Sequence, residues 1–277
     1  MSRLQGKTAV VSGAARGQGR SHAINLAKEG ANVALFDVCA NVGTAYDGAT
    51  REDLAETQRL VEAEGVKASA EVLDVRDVAG LRTFVAATIE TFGSIEILLA
   101  NAGIQTMAPF PELSHDAWQT TIDIDLTGVF NTMRAVIPHM IERRYGRVVA
   151  TSSMGGRQAY GNCAHYIAAK FGVIGLVKAA AVDTGPYGIT VNAICPTSVD
   201  THLIKHQQVY DLFAPELESP TLEDITPRMN MMHPQDVPWI ECQDVSDAVM
   251  FLVSDKAKYI TGEAMTVSAG LIASNSA

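Results

Sequence analysis

The chain has 277 residues, 47% hydrophobic, 19% charged and 6% aromatic, which suits one large α/β domain and excludes a disordered chain. No run approaches about eighteen consecutive apolar residues, so no membrane span is expected; the opening Met-Ser-Arg-Leu-Gln-Gly-Lys lacks the parts of a signal peptide, which predicts a cytoplasmic protein. With 21 Lys+Arg against 31 Asp+Glu the formal net charge is −10, so nucleic acid and anionic lipid are poor partners.

Short β-rich runs alternate with helical patterns. Strands are expected at Thr8–Ser12, Asn32–Asp37, Ala68–Leu73, Ile95–Ala100, Arg147–Ser152, Ile189–Ile194 and Ala264–Ser268. Several are continuous apolar runs, as in a parallel sheet covered on both faces. Between the third and fourth, Leu81, Phe84, Val85, Ile89 and Phe92 form a helical stripe. The alternation predicts a single doubly wound α/β domain over 1–277. Two segments break the rhythm. An insert at about 38–53 follows the second strand, where loops usually have about two to six residues. A Pro-punctuated stretch at about 201–244 precedes a last helix, Val245–Val253, and reads as a substrate lid.

The first strand ends in a GxxxGxG turn, Gly13, Gly17 and Gly19, with Arg16 and Gln18 between them. Glycine permits close backbone approach, and the helix that follows offers amides and positive dipole to a pyrophosphate. Asp37 ends the second strand 18 residues after Gly19. An acid there accepts from ribose hydroxyls and repels a 2′-phosphate, which predicts NAD over NADP; Arg16 argues the other way, but lies off the ribose position. Asp74, followed by Val75, ends the third strand and can accept the adenine amino group or cap a helix. Asn101-Ala102-Gly103 ends the fourth, at the edge where open α/β sheets bind ligands.

Tyr166 and Lys170 are one helical turn apart, so phenol and ammonium share a face. A free tyrosine, with a pKa of about 10, is a poor acid–base group at neutral pH, and a nearby cation favours its phenolate. Ser153 lies thirteen residues earlier, after the fifth strand, and can hydrogen-bond the same substrate oxygen.

The set Gly13/Gly17/Gly19, Asn101-Ala102-Gly103, Ser153, Tyr166 and Lys170 resembles the short-chain dehydrogenase/reductase family over nearly the whole chain. The resemblance implies a Rossmann-like domain with a seven-stranded parallel sheet, usually a homotetramer. It also implies hydride transfer between nicotinamide and a carbinol or carbonyl carbon. It makes Tyr166 the general acid/base, Ser153 the group orienting the substrate oxygen, and Lys170 the residue that lowers the Tyr pKa and binds the nicotinamide ribose. Pro196, Val199 and Thr201 match the segment that holds the carboxamide, with Thr197 where most members have glycine. One departure stands out. The family places an asparagine, which anchors a relay water, where this chain has Asp125 in Asp125-Leu-Thr-Gly128. The carboxylate can hold the same water, shift the relay's pKa values or pair with Lys170.

The run 13–22, the insert, Pro196-Thr197 and the lid with Pro238-Trp239 look like the mycofactocin-coupled, carveol dehydrogenase-like branch. That branch implies NAD held without exchange and electrons passed to a mycofactocin-type carrier. An insert beginning at Asp37 can fold over the adenosine end and slow cofactor release, or pack at a subunit edge. Phe213, Met229, Met231, Met232 and Trp239 suggest an adaptable apolar pocket for a hydrophobic secondary alcohol or ketone; ordinary core packing is the other reading. The histidines pair into no metal site, and His165 points about 100° from Tyr166 on a helix. Cys163, Cys195 and Cys242 read as small buried apolar residues. Two other functions fit the same sequence: a 3-oxoacyl-carrier or general carbonyl reductase with freely exchanging NAD(P)H, and a catalytically silent nucleotide-binding protein.

Overall fold

The computed structural model describes residues 4–274. The first and last three positions, within the expected 1–277 domain and including the start of the opening heptapeptide, lie outside the described residues.

Seven strands, β1 (Thr8–Ser12), β2 (Asn32–Asp37), β3 (Ala68–Val72), β4 (Ile97–Ala100), β5 (Gly146–Thr151), β6 (Ile189–Pro196) and β7 (Ala264–Val267), form one sheet in the order β3-β2-β1-β4-β5-β6-β7. Every neighbouring pair is parallel. Winding runs outward from β1 to β3, then returns to β4 beside β1, so a crevice opens above the ends of β1 and β4. The fourth strand starts at Ile97 rather than Ile95: the Ile95 amide donates to the His139 ring at 3.2 Å, while Glu96 still bonds to Thr8 and Arg147.

The helices are α1 (Gly17–Lys28), α2 (Arg51–Glu62), α3 (Val78–Phe92), α4 (His115–Ile122), α5 (Val129–Arg143), α6 (Ala164–Thr184), α7 (Gln207–Phe213), α8 (Leu222–Met232), α9 (Cys242–Leu252) and the single turn α10 (Leu271–Ser274). Side chains alternate across a strand, so each supplies two cores. Val10, Leu98, Val148 and Val191 pack with α3, α5 and α6. Ala9, Val11, Leu35 and Leu99 pack with α1, α2 and α9. The expected α3 stripe is buried at Leu81, Phe84 and Val85, with Ile89 and Phe92 half-buried at its end. Cys163 and Cys195 are buried; Cys242 is only half-buried, its Sγ lying 3.7 Å from the Asp200 carbonyl.

Both irregular segments are shorter than expected. Thr50 and Asp53 cap α2 reciprocally, so residues 51–53 belong to that helix. Glu241 and Asp244 do the same for α9, which therefore starts at Cys242 rather than Val245. The stretch 201–241 is no plain loop, because α7 and α8 lie within it and bury Ile204, Val209, Ala214, Ile225 and Met229 together.

Candidate active site

The turn after β1 requires its glycines. Gly13 has φ +62°, and a Cβ there would sit 2.8 Å from Ala102 Cα; a Cβ on Gly19 would sit 2.0 Å from the Gly13 oxygen. Ser12 Oγ accepts from the Asn101 and Ala102 amides at 2.9 and 3.1 Å, and Asn101 Nδ2 donates to the Ser12 and Gly13 carbonyls. Strands β1 and β4 are thereby locked edge to edge. Arg16 offers no side-chain cap to α1, and Gln18 Oε1 is buried without a partner among the described residues. The first amides of α1 therefore lie free beside a tight glycine cradle, which fits a pyrophosphate.

Asp37 Oδ2 accepts from the Ala15 amide at 3.0 Å, and Oδ1 from Cys39 at 3.2 Å, which fixes the carboxylate at the rim. The Arg16 guanidinium donates to the Asp47 carbonyl and is committed to the 38–50 segment. Asp74 pairs with Arg76 at 2.6 Å; burial opposes the charge there, but the Arg76 contacts win and hold the carboxyl below its ordinary range. The cap of α3 is Asp77, so the capping alternative for Asp74 is corrected.

At the other end of the crevice, α6 presents Tyr166 and Lys170, with Nζ 5.4 Å from the phenol ring centre. Lys170 Nζ also donates to the Thr151 carbonyl at 3.2 Å and lies 3.0 Å from Asp125 Oδ2. Asp125 sits in a π-turn, Asp123–Gly128, between α4 and α5, wholly buried, and its Oδ1 accepts from the Ile104 amide at 2.8 Å. The contact with Lys170 is off the hydrogen-bond direction, so it is an ion pair rather than an aligned bond. Ser153 Oγ accepts from the Gly155 amide at 3.0 Å, which leaves its proton for another partner.

Burial opposes the Lys170 ammonium, yet Asp125 and Tyr166 outweigh it and raise its pKa. Burial also pushes the Asp125 carboxyl up, against the pull of Lys170. The expected acidic phenol is corrected: burial raises Tyr166, Lys170 pulls it down, and Asp125 raises it again. In the protein alone the neighbouring acid offsets part of the cation's effect.

All eighteen residues singled out from the sequence, from Gly13 to Thr201, line one cavity of about 240 Å³. The apolar lid residues do not. Met229 is buried inside the small core of 201–241, Met231 is 81% exposed, and Phe213 and Trp239 pack against that core. Leu203 and Ile204 line the cavity in their place. Tethering of the segment is polar: Thr197 Oγ1 lies 2.7 Å from His233 Nε2, and His233 Nδ1 lies 2.7 Å from the Val237 carbonyl. Sequence reasoning missed Tyr46 and Gln105. The Gln105 amide donates to the Tyr46 hydroxyl at 3.3 Å, which brings the 38–50 segment to the Tyr166 end of the cleft. Only the loop's unusual length hinted at such a role.

The short chain dehydrogenase family model matches residues 7–209, and the chain belongs to that family. It is 44% identical to (-)-trans-carveol dehydrogenase of Rhodococcus erythropolis over 276 residues, 98% of this chain and 99% of the relative. It is also similar to the crystal structure of carveol dehydrogenase from Mycobacterium avium in complex with NAD. That match has a TM-score of 0.96 and 45% identity, and covers 99% of this chain and 100% of the other. A short chain dehydrogenase from Mycobacterium paratuberculosis bound to NAD gives a TM-score of 0.88 at 31% identity, over 97% and 98% of the two chains.

Proposed function

We propose that the protein is an NAD-dependent oxidoreductase that interconverts a hydrophobic secondary alcohol and its ketone. The observation that carries this is the convergence of Ser153, Tyr166 and Lys170 at one end of a glycine-cradled cleft whose other end holds Asp37. Bound NAD supplies the hydride acceptor in oxidation, and its reduced form the donor in reduction. The residues of the chain do the rest. Ser153 donates to the substrate oxygen. Tyr166 takes the hydroxyl proton during oxidation and returns it during reduction. Lys170 stabilises the phenolate and offers donors to the nicotinamide ribose. Asp125 anchors Lys170. Gly13, Gly17, Gln18 and Gly19 receive the pyrophosphate, Asp37 the adenosine ribose, and Asp74 with Val75 the adenine. Asn101, Ala102 and Gly103 form the floor, while Pro196, Val199 and Thr201 hold the carboxamide.

The engaged Arg16 and the carboxylate at position 37 support NAD over its 2′-phosphorylated form. Similarity to a carveol dehydrogenase supports a hydrophobic alcohol. The 38–50 segment lines the cleft through Val42, Thr44 and Tyr46, which supports a tightly held NAD; electron transfer to a mycofactocin-type carrier goes with that reading. Exposed Trp118, Phe130 and Phe171 on α4 to α6 support a homotetramer. Four free cysteines suit a cytoplasmic location.

The test is protein purified without added nucleotide, denatured, and assayed for released NAD, followed by turnover of hydrophobic alcohols before and after Tyr166→Phe. Retained NAD and turnover that needs Tyr166 support the reading. Rapid exchange of added NAD(P)H with steady turnover favours the carbonyl reductase. Indifference to the substitution favours a silent nucleotide-binding protein.

A further inference from the structure

The expected apolar lid residues do not line the cleft; Tyr46 does, and a line of neutral polar groups leads from it. The Tyr46 hydroxyl accepts from the Gln105 amide at 3.3 Å. The Gln105 side chain continues the line, its Nε2 donating to the Tyr160 hydroxyl at 3.3 Å. That hydroxyl and the Tyr166 ring both border Gly155, since a Cβ there would lie 3.3 Å from the first and 3.2 Å from the second. The line therefore runs from the 38–50 segment to the wall beside the reacting phenol.

A phenol that accepts one hydrogen bond still carries a proton to donate. Among the described residues the Tyr46 hydroxyl meets no protein acceptor, although its side chain is part of the cleft lining. Buried polar groups rarely stay unpaired, so a donor left facing a ligand cleft points to an acceptor on the ligand. Burial holds the phenol well above its ordinary range, and Asp125 and Tyr166 add to that, so it stays a donor. The ring is set by the other irregular segment, because His206 packs on it with ring centres 5.1 Å apart.

The charges around Tyr46 select the acceptor. Asp125 is paired with Lys170 at 3.0 Å. Arg16 is committed to the Asp47 carbonyl. Burial keeps His206 neutral. Among the described residues this leaves no free Lys or Arg beside Tyr46 for a carboxylate or a phosphate, so the matching group is a neutral oxygen.

We infer that Tyr46 is a specificity-determining residue whose hydroxyl donates to a second, neutral oxygen on the substrate, a hydroxyl, ether or carbonyl lying away from the carbon that reacts at Tyr166. The preferred substrate is then a cyclic secondary alcohol or ketone carrying that second oxygen. This rests on the dehydrogenase reading above. The competing role for Tyr46 is a fastener that merely holds its segment shut.

The experiment compares cyclohexanol with cyclohexane-1,3-diol and cyclohexane-1,4-diol, using the full chain and Tyr46→Phe. For at least one diol KM should rise about three- to tenfold relative to the KM for cyclohexanol, the effect of one neutral hydrogen bond. An equal change for all three alcohols, or none, overturns the inference. Calorimetry in the Tyr166→Phe background reads the same preference without turnover. A diol should bind more tightly than cyclohexanol, and adding Tyr46→Phe should abolish the difference. Equal affinities with Tyr46 intact overturn the inference, whatever the turnover shows. A Tyr46-dependent diol preference in a wild-type protein that oxidises none of these alcohols supports the site and defeats the dehydrogenase reading.

Discussion

Segments 38–50 and 201–241 both interrupt the strand–helix alternation and both border the cleft, yet opposite forces give each its internal shape. The first has no helix or strand of its own. It is folded by polar contacts: Asn41 Oδ1 accepts from the Gly43 and Thr44 amides at 2.8 and 3.1 Å, Arg16 holds the Asp47 carbonyl, and Tyr46 receives the Gln105 amide. The second carries two helices around its own apolar cluster, and α8 has a reciprocal Thr221–Asp224 cap. A hydrogen bond contributes about 0.5–1.5 kcal/mol net and is lost singly. An apolar cluster gives way as a unit. The short cover should therefore open locally and often, and the long one cooperatively and rarely.

Separating either cover from the chemistry requires a silent background. Tyr166→Phe provides it and has the largest expected effect: turnover should fall about 10²- to 10⁴-fold, the usual contribution of a general acid/base. Bound nucleotide, measured after denaturation, should be retained. Loss of nucleotide along with turnover would mean that Tyr166 also supports the cleft's fold.

The long cover is broken next by Met229→Ala. The side chain is 1% exposed among Ile204, Val209, Ala214 and Ile225. Its removal should cost about 2–5 kcal/mol within that cluster. Hydrogen exchange should rise across α7 and α8 and KM for alcohol should increase, while retained nucleotide stays constant. Faster exchange in α1 or α2 as well would show that the two covers are one cooperative unit.

The short cover is broken by Gly48→Ala. A Cβ at Gly48 would lie 2.3 Å from the Ala40 carbonyl oxygen, so the segment's own backbone must shift. Losing one or two of its hydrogen bonds should speed NAD release about tenfold, since about 1.4 kcal/mol corresponds to one decade. The melting temperature should fall only slightly, because the clash is with the segment's own backbone and the core beside it is touched only through the half-buried Cys39 and Ala49. Unaltered release would place cofactor retention elsewhere than this segment.

The same contrast explains what the sequence disclosed. Strands and covering helices were legible because alternating burial leaves a periodic record: Val10 and Val11 serve opposite cores, and the positions expected for each strand match within a residue or two. The glycine turn and the Tyr166–Lys170 pair were legible because each is a short-range pattern. The two covers were visible only as interruptions. Tyr46 meets Gln105 59 residues away, and no local periodicity records such a contact. Met229 and Met231 look alike in sequence, yet one is buried in the α7–α8 cluster and the other faces solvent. Helix phase settles that, and the phase follows from where the Thr221–Asp224 cap starts α8.

The smallest effect is expected from Asp125→Asn, which keeps the shape and removes the charge. The sign follows from the pair. A carboxylate beside Lys170 offsets the ammonium and itself repels a phenolate, so with Asp125 present Tyr166 ionises only at higher pH. Alcohol oxidation needs the phenolate, so its rate should climb with pH, and in the variant that climb should begin at lower pH. Ketone reduction needs the protonated phenol, so its fall at high pH should move to lower pH as well. Lys170 keeps its bond to the Thr151 carbonyl, so nucleotide retention should change little. A lower rate at every pH with an unmoved profile would make Asp125 a packing residue whose charge does not reach Tyr166.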